Sequence, residues 1–432
     1  MVKVVFLCGG MGKRMSPITT DKFMLNFLGK TLLEKQIELA KTVGLNDFVI
    51  ISNKRSIEKV KGICKTIEGN FEFVIQKEPK GMADALISAK EQLIDNEIII
   101  VKTNDVFEIS AYKKILEEYK KKEYDSYLLC YTVKKYFPGG YLSINEKDEI
   151  NGLIEKPGEG NEPSNIINIV VHLHKKTRDL FEYLEKNKES KDNIYELAID
   201  KMMKNNFKFK AVRYTDFWAA IPYPWSIFKI MNYFMNSIEQ KIASTANIDR
   251  SAKIEGKVII GDNTKIFENA TIKGPCYIGK NCIIGNNTLI RASHISDNCV
   301  IGFSTEVKGS YICKDCWFHA NYIGDSIIDS GCSFGSGSVT ANLRFDEENI
   351  IGSGINKLGV IMGKNCRTGI NSNIMPGIKV GQNSIIGAGV TLTSNLEKDK
   401  IAFLNSDHYQ IKKNKFNIDI EKREEIKKKL ER

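Results

Sequence analysis

Residues 9–14 read Gly-Gly-Met-Gly-Lys-Arg and follow directly on an apolar run that ends at Leu7. Glycines in such a turn let the backbone approach phosphate oxygens and offer them N–H donors, and Arg14 adds a permanently charged planar fork. A glycine-rich turn alone is a weak pointer. The chain's charge agrees with anionic small molecules: 63 Lys and Arg against 53 Asp and Glu give +10. The basic residues are interleaved with acids and form no stripe of the kind that nucleic acid requires, so no nucleic-acid partner is expected. The ten cysteines show no paired spacing. Cys313 and Cys316 form a lone C-x-x-C without a second pair at zinc spacing, so they read as structural side chains and no structural metal is expected. The N-terminal MVKVVFLCGG meets glycine too early for a signal peptide or a membrane span, and a cytoplasmic protein without a membrane partner is the expectation.

Two kinds of element must hold these residues. Isoleucine falls at every sixth position as Ile248, Ile254, Ile260, Ile266, Ile272, Ile278, Ile284 and Ile290. No α-helix has that period; a chain that turns a triangular corner every six residues does, with one aliphatic side chain per flat face pointing inward. The reading is a left-handed parallel β-helix. The register slips near Ser296, resumes at Ile301 and Val307, and returns at Ile374, Val380, Ile386 and Leu392, often with glycine next in line (Gly261, Gly279, Gly285, Gly381, Gly387), so the solenoid should span 245–405. Residues 1–225 instead alternate apolar runs (Val4–Leu7, Phe48–Ile51, Phe73–Ile75, Ile98–Val101) with helical stretches (Leu32–Val43, Ala83–Leu93). That alternation predicts an α/β, Rossmann-like domain on a mostly parallel sheet. A helical connector over 226–244 and a tail helix over 406–432, carrying Ile420, Ile426 and Leu430, complete the division. At 432 residues and 42% hydrophobic content, each unit can bury a core.

Read together with SPITTDK, which ends at Lys22, the glycine turn resembles the sugar-1-phosphate nucleotidylyltransferase signature. The resemblance implies that Gly9, Gly10 and Gly12 cradle a nucleoside triphosphate while Arg14 and Lys22 grip its phosphates and the sugar phosphate. It continues in order along about the first 220 residues. Gln76 and Gly81 in QKEPKGMADA resemble the base-reading segment, and a Gln amide can meet both an acceptor and a donor edge of a pyrimidine, which favours UTP or dTTP over ATP. Asp105, at the end of IIIVKTND, matches the carboxylate that holds the family's Mg2+, at the carboxyl edge of the sheet where a hard-cation ligand belongs. Gly140, Glu155, Lys156 and Asn168 resemble sugar-contacting positions.

The second half carries its own resemblance. HANYIGDS (319–326), GSGSVTANLRFD (335–346) and KLGVIMGKNCRTGINSNIMPGIKVG (357–381) are similar to the acetyltransferase part of the bifunctional N-acetylglucosamine-1-phosphate uridylyltransferase / glucosamine-1-phosphate N-acetyltransferase family, in its archaeal form. By that resemblance His319 is the general base that accepts a proton from the substrate amine as the amine attacks acetyl-CoA, a step suited to an imidazole near neutrality. Arg291, Lys308, Tyr322, Asn342 and, more loosely, Lys357 match positions that bind the sugar phosphate. Solenoid acyltransferases of this type assemble as trimers, so a homotrimer is implied.

The departures from the pattern matter as well. Met82, Asn104 and Val170 replace the usual residues, and the stretch from Glu306 to His319 is one residue shorter than the family pattern. In FWAAIP (217–222) the second Mg2+ carboxylate of the family falls on Ala220, and Pro222 stands for a glycine; Asp216 is the nearest substitute carboxylate. Three readings follow. The first is a bifunctional enzyme that acetylates glucosamine-1-phosphate and then attaches UMP. The second is a nucleotidylyltransferase for another sugar phosphate whose solenoid only oligomerises. The third is a regulatory protein that binds sugar nucleotides without turning them over.

Overall fold

The computed structural model describes residues 2–186, 193–350, 352–405 and 408–415. The chain divides into two compact units, one formed by Met1–Met11, Asp21–Met24 and Thr31–Ala220, the other by Gly12–Thr20, Leu25–Lys30 and Ile221–Arg432.

At the centre of the first unit lies the strand Val2–Cys8, paired in parallel with Asp47–Asn53 on one side and Glu97–Lys102 on the other, with Asn70–Gln76 parallel beyond Asp47–Asn53. Val4, Val5, Phe6, Ile50, Ile99 and Ile100 are wholly buried. Side chains pointing to opposite sheet faces are both covered, as parallel sheets require. Beyond Glu97–Lys102 the sheet is mixed, with Phe209–Tyr214 parallel to Ser126–Thr132 but most pairs antiparallel. Ile166–His174 runs antiparallel to that strand, and Gly140–Ile144 pairs antiparallel with both Ile166–His174 and Ile150–Glu155. The connection between Ile144 and Ile150 is too short for a crossover, so that pair can only be a hairpin. The helix expected over Ala83–Leu93 is two pieces, Met82–Ser88 and Lys90–Leu93. Leu32–Thr42 starts with a capping box, in which the Thr31 hydroxyl accepts from the Glu34 N–H and the Glu34 carboxylate accepts from the Thr31 N–H.

One polar chain crosses the interior of this unit. Ser126 Oγ lies 2.8 Å from His174 Nδ1, and the Tyr195 hydroxyl lies 2.8 Å from both His174 Nε2 and His172 Nδ1. Burial pushes the His172 pKa well below its ordinary value and that of His174 down to about 3.

Among the described residues the second unit is a parallel β-helix of three sheets with eight, ten and eight strands. The predicted isoleucines point inward in three ladders, for example Ile248, Ile266, Ile284 and Ile301 in one sheet and Ile254, Ile272, Ile290 and Val307 in another. Successive partners are eighteen residues apart until Ile278↔Ile295, where the step drops to seventeen. Ala292, at φ 48°, closes that corner one residue tighter, which is the slip read near Ser296. Phe334 pairs with Thr368 because the intervening chain leaves the coil as a long loop. Asparagine is abundant because the corners need left-handed backbone: Asn263, Asn281, Asn298, Asn365 and Asn383 all have φ between 53° and 60°. Their amides are hydrogen-bonded from coil to coil, Asn281 to Asn298 at 3.3 Å and Asn298 to Asp315 at 3.1 Å.

The cysteines are not scattered. Cys282, Cys299, Cys316, Cys332 and Cys366 occupy the same position on successive coils, and each thiol donates to a backbone carbonyl of the next coil, that of Ser296, Cys313, Asp329, Gly363 or Gly381, at 3.0–3.3 Å. Thr264 before the column and Ser384 after it make the same bond with hydroxyls at 2.7 Å.

The connector helix is Ser226–Asn236, shorter than the expected 226–244, because Lys241–Ile242 already pairs with Ile259–Ile260 as the first solenoid strand. The tail is not helical where it begins. Lys400–Asn405 pairs with the last coil and with the antiparallel strand His408–Lys413, while Ile420, Ile426 and Leu430 lie outside the described residues. Among the described residues no helix is long and apolar enough to cross a membrane.

The buried histidines set an acid limit on the first unit. Because they stay neutral when folded, their contribution is complete above their unfolded pKa of about 6.5 and is lost as pH falls below it. Glu196, whose carboxyl burial pushes up to about 7, acts oppositely: its contribution is lost as pH rises and gained as pH falls. Two histidines against one carboxyl leave a net loss of up to about 1.4 kcal/mol per pH unit between pH 6.5 and 5. Amide protection of the Ile166–His174 strand, taken relative to intrinsic exchange at each pH, should fall accordingly, and His174→Gln should flatten the dependence. An unchanged slope in that variant contradicts the account.

Candidate functional site

In the first unit the glycine turn begins at the carboxyl end of the central strand, with Gly9 against the Gln76 side chain; a Cβ on Gly9 would overlap Gln76 Oε1. Gln76 is buried, and its amide donates to Gly81 O at 3.1 Å and to Asp84 Oδ2 at 2.8 Å. Gly81, at φ 103°, is a position that only glycine occupies without strain. The predicted nucleotide residues Gly9, Gln76 and Gly81 are therefore brought together. Gly10 has open space where a Cβ would stand. Asp21, beside Lys22, accepts from Ser56 Oγ and from the Arg55 guanidinium, which fixes the Lys22–Met24 turn.

Gly12 and Arg14 belong to the other unit. Gly12 takes the left-handed backbone at φ 60° that begins the Lys13–Met15 turn, and the Arg14 guanidinium lies 5.7 Å from the centre of the Tyr223 ring.

The structure gathers the predicted sugar positions on the Gly140–Ile144 hairpin and its neighbour. Gly140 is directly opposite Glu155, and a Cβ on Gly140 would stand 2.6 Å from Asn168 Oδ1 and 3.1 Å from Glu155 Oε2. Lys156 Nζ is 3.0 Å from Glu155 Oε1. Sequence reasoning missed Glu196 here. Its carboxyl is raised first by burial and next by the Glu155 charge, with Lys156 and Lys102 opposing. A carboxyl that titrates near neutrality beside two lysines can hold or release a proton next to a bound hydroxyl.

Asp105 is buried. Its Oδ2 accepts from Trp218 Nε1 at 3.4 Å, its main-chain carbonyl accepts from Gln36 Nε2 at 2.7 Å, and Lys102 Nζ lies 3.8 Å from Oδ1. Burial pushes its carboxyl above the ordinary value, against the pull of Lys102, the Trp218 indole and Lys22. Oδ1 is buried without a hydrogen-bond partner. An orphaned carboxylate oxygen of this kind fits one ligand of a divalent cation that draws its other ligands from phosphates and water. Among the described residues no three His, Cys, Asp or Glu side chains converge on a common point. Ala220 lies directly across the strand pair from Asp105. Opposed side chains are about 5 Å apart at Cβ, so a carboxylate at 220 would stand beside that of Asp105. Asp216 is no substitute, because it accepts from Ser110 Oγ at 2.5 Å. Gln36 was legible only as a polar residue on the buried stripe Leu33, Gln36, Ile37 and Ala40.

On the solenoid, His319 is exposed at a corner, in a position that Gly285 and Gly302 hold on the two coils before it and Gly335, Gly369 and Gly387 on the three after it. Its backbone is locked: the N–H donates to Asn321 Oδ1 at 2.8 Å and the carbonyl accepts from Thr305 Oγ1. Its ring makes no hydrogen bond among the described residues, which leaves both nitrogens available. On the adjoining face Arg291, Lys308 and Gly324 follow one another on successive rungs. Asp325 gathers the group, with Lys308 Nζ at 2.9 Å from Oδ2 and the Asn342 amide donating to the same oxygen. Asn342 also meets the Tyr322 hydroxyl at 3.5 Å, and a Cβ on Gly324 would collide with both. Despite the shortened stretch before His319, Lys308 falls in register. Arg291 is paired with Glu306 at 2.6 Å, and Lys357 is exposed where its loop bridges to Leu343. Asp325 lay inside the HANYIGDS motif yet was overlooked, because its role is to hold a cation and an amide in place.

Residues 3–236 match the nucleotidyl transferase family, and residues 257–292 and 359–394 match the bacterial transferase hexapeptide (six repeats). The bifunctional protein GlmU of Methanocaldococcus jannaschii is 33% identical, over 92% of this chain and 97% of its own. A bifunctional sugar-1-phosphate nucleotidylyltransferase/acetyltransferase of Sulfurisphaera tokodaii is also 33% identical, over 91% of this chain and 98% of its own. A solved UDP-glucose pyrophosphorylase in complex with UDP-glucose aligns with a TM-score of 0.49 and 22% identity, over 55% of this chain and 99% of that one. Matched in order through both units, the chain belongs to the nucleotidyl transferase family and, within it, to the bifunctional GlmU-type nucleotidylyltransferase/acetyltransferases.

Proposed function

We propose that the solenoid acetylates glucosamine-1-phosphate from acetyl-CoA, and that the N-terminal half transfers UMP from UTP to the N-acetylglucosamine-1-phosphate formed, giving UDP-N-acetylglucosamine. The observation that carries the reading is the exposed, unbonded ring of His319, three residues before Tyr322, whose hydroxyl meets the Asn342 amide, and six before Asp325, on which Lys308 and Asn342 converge. A sugar phosphate held by Lys308 and Arg291 presents its amine toward that corner. His319 takes the proton as the amine nitrogen bonds to the thioester carbon, and the C–S bond then breaks to release CoA.

In the second reaction a phosphate oxygen of the sugar phosphate attacks the α-phosphorus in line, and the bond to pyrophosphate breaks. Arg14 and Lys22 are the cations that match the family's phosphate grip. Glu155, Lys156, Gly140 and Asn168 orient the sugar, while the Gln76 amide favours a pyrimidine, in UTP or in dTTP. A divalent cation such as Mg2+, held by Asp105 and the phosphates, would supply charge neutralisation at the reacting phosphorus. One incubation tests the reading: purified protein with glucosamine-1-phosphate, acetyl-CoA, each nucleoside triphosphate and Mg2+, with products identified by mass spectrometry. Absence of the acetylated sugar phosphate overturns the first step, and absence of a nucleotide sugar the second.

The two activities should separate by mutation. His319→Ala should slow acetylation by roughly 100- to 10,000-fold and spare nucleotidyl transfer, whereas Lys22→Ala should do the reverse. Wild-type acetylation by His319→Ala would remove the histidine from the mechanism.

Ala220 marks the nucleotidyl step as the weaker one. Because residue 220 faces Asp105 across the strand pair, Ala220→Asp should raise nucleotidyl transfer and lower the Mg2+ concentration for half-maximal rate, with acetylation unchanged. A wild type already saturated at low Mg2+, and indifferent to the substitution, would show that the cation is held elsewhere.

The flat solenoid faces suit packing about a three-fold axis, and the intact chain should sediment as a trimer or a multiple of it. A monomer in analytical ultracentrifugation at micromolar concentration excludes this assembly.

A further inference from the structure

Lys22 lies in a four-residue stretch, Asp21–Met24, whose covalent neighbours on both sides, Gly12–Thr20 and Leu25–Lys30, pack with the solenoid. On the near side the anchor is Asp329, a wholly buried solenoid carboxylate. Its Oδ2 accepts from the Thr19 N–H at 3.2 Å and the Thr19 hydroxyl at 3.5 Å, and its Oδ1 accepts from the Thr20 hydroxyl at 3.2 Å and the Ser330 N–H at 2.8 Å. Three of these four donors come from the segment that leads into Lys22. On the far side His294 Nε2 accepts from the Leu28 N–H at 3.0 Å, and the Tyr311 hydroxyl donates to Asn26 O at 2.7 Å. Phe27, also wholly buried, packs between Phe234, His294 and Tyr311. A buried carboxylate is costly unless its oxygens are satisfied, so Thr19 and Thr20 leave Asp329 only at considerable free-energy cost.

The structure assigns Asp329 as a positioning residue for nucleotidyl transfer: through Thr19 and Thr20 it fixes the chain that carries Arg14 and delivers Lys22, so the solenoid serves the first reaction as well as its own. The assignment rests on the nucleotidyl-transfer reading above. It acts through the backbone and not by contact with substrate, and displacement of a phosphate-gripping cation by about 1 Å can cost on the order of 100-fold in rate.

The test compares the full-length wild type with Asp329→Ala, Thr19→Ala/Thr20→Ala and the combination of all three, reading nucleotidyl transfer from UTP, acetylation and amide exchange over residues 12–30. Asp329→Ala should lower kcat of nucleotidyl transfer by roughly 10- to 100-fold, accelerate exchange at Thr19 and its neighbours, and leave acetylation within twofold of wild type. The threonine pair, which keeps the Thr19 N–H bond to Asp329, should reproduce part of the loss without any change to the solenoid, and the combined variant should be no worse than Asp329→Ala alone, as expected for partners in one interaction. Unchanged nucleotidyl transfer in Asp329→Ala, unchanged exchange, or fully additive losses each overturn the assignment. If Asp329→Ala loses both activities through misfolding, the threonine pair decides alone, and wild-type nucleotidyl transfer in that variant overturns it. A wild type that transfers no nucleotide removes the underlying reading and the assignment with it, whereas a transferring wild type matched by Asp329→Ala removes only the assignment.

Discussion

Each coil of the solenoid must close on the residue one rung below where it began, because parallel strands are fixed at about 4.8 Å and their backbone groups have no other partners. This constraint selects the side chains. Inward positions stack like on like, corners take asparagine in the left-handed region, and the position after the inward residue is glycine wherever the next coil's backbone comes within contact distance. A Cβ on Gly285 would lie 2.6 Å from the Phe303 nitrogen, and one on Gly302 2.6 Å from the His319 carbonyl. His319 bears a side chain where Gly285 and Gly302 before it and Gly335 after it leave no room for one, and the step from Phe318 to Phe334 is shortened to sixteen residues. This shortening comes after, and in addition to, the one at Ala292 that first disturbs the isoleucine register.

A different economy governs the N-terminal unit. Its parallel strands bring Gly9 and Gln76 to one edge by backbone pairing alone, but the electrostatics there depend on few groups. Asp105 is oriented by Gln36 and Trp218, opposed by two lysines, and faces a methyl group at Ala220. A buried carboxylate without a second carboxylate beside it binds a divalent ion only as strongly as the phosphates that arrive with that ion allow. On the proposed reading, the first unit would depend on an arriving nucleotide more than on a standing metal centre.

Much of this was legible in residue order. The six-residue isoleucine period could mean only a solenoid, and the glycine turn could be placed after the first strand, where the structure has it. Gly140, Glu155 and Asn168 are distant in sequence and adjacent in space because a hairpin and its neighbour share one register, which motif order anticipated. What escaped notice had no local signal. The cysteine column needs the coil lengths to be known before the spacing becomes one per coil. The change of the sheet from parallel to mixed beyond Glu97–Lys102 is set by pairing, to which apolar runs are blind. His408–Lys413 forms a strand because Lys400–Asn405 offers it an unpaired edge, which no local pattern announces. Asp329 had the least signal of all, one acid in a solenoid corner whose partners lie some three hundred residues earlier.

The column of five thiols has a practical meaning. Burial raises the Cys299, Cys316 and Cys332 thiols well above the ordinary value, and each is committed as a donor inside the coil stack. A thiolate-seeking reagent cannot reach them while the coils are closed. Since the coils depend on their neighbours for every strand bond, labelling of the column becomes a counter of opened solenoids: the rate at which a native sample takes up label reads the frequency of that opening, and peptide mapping shows at which rung it starts.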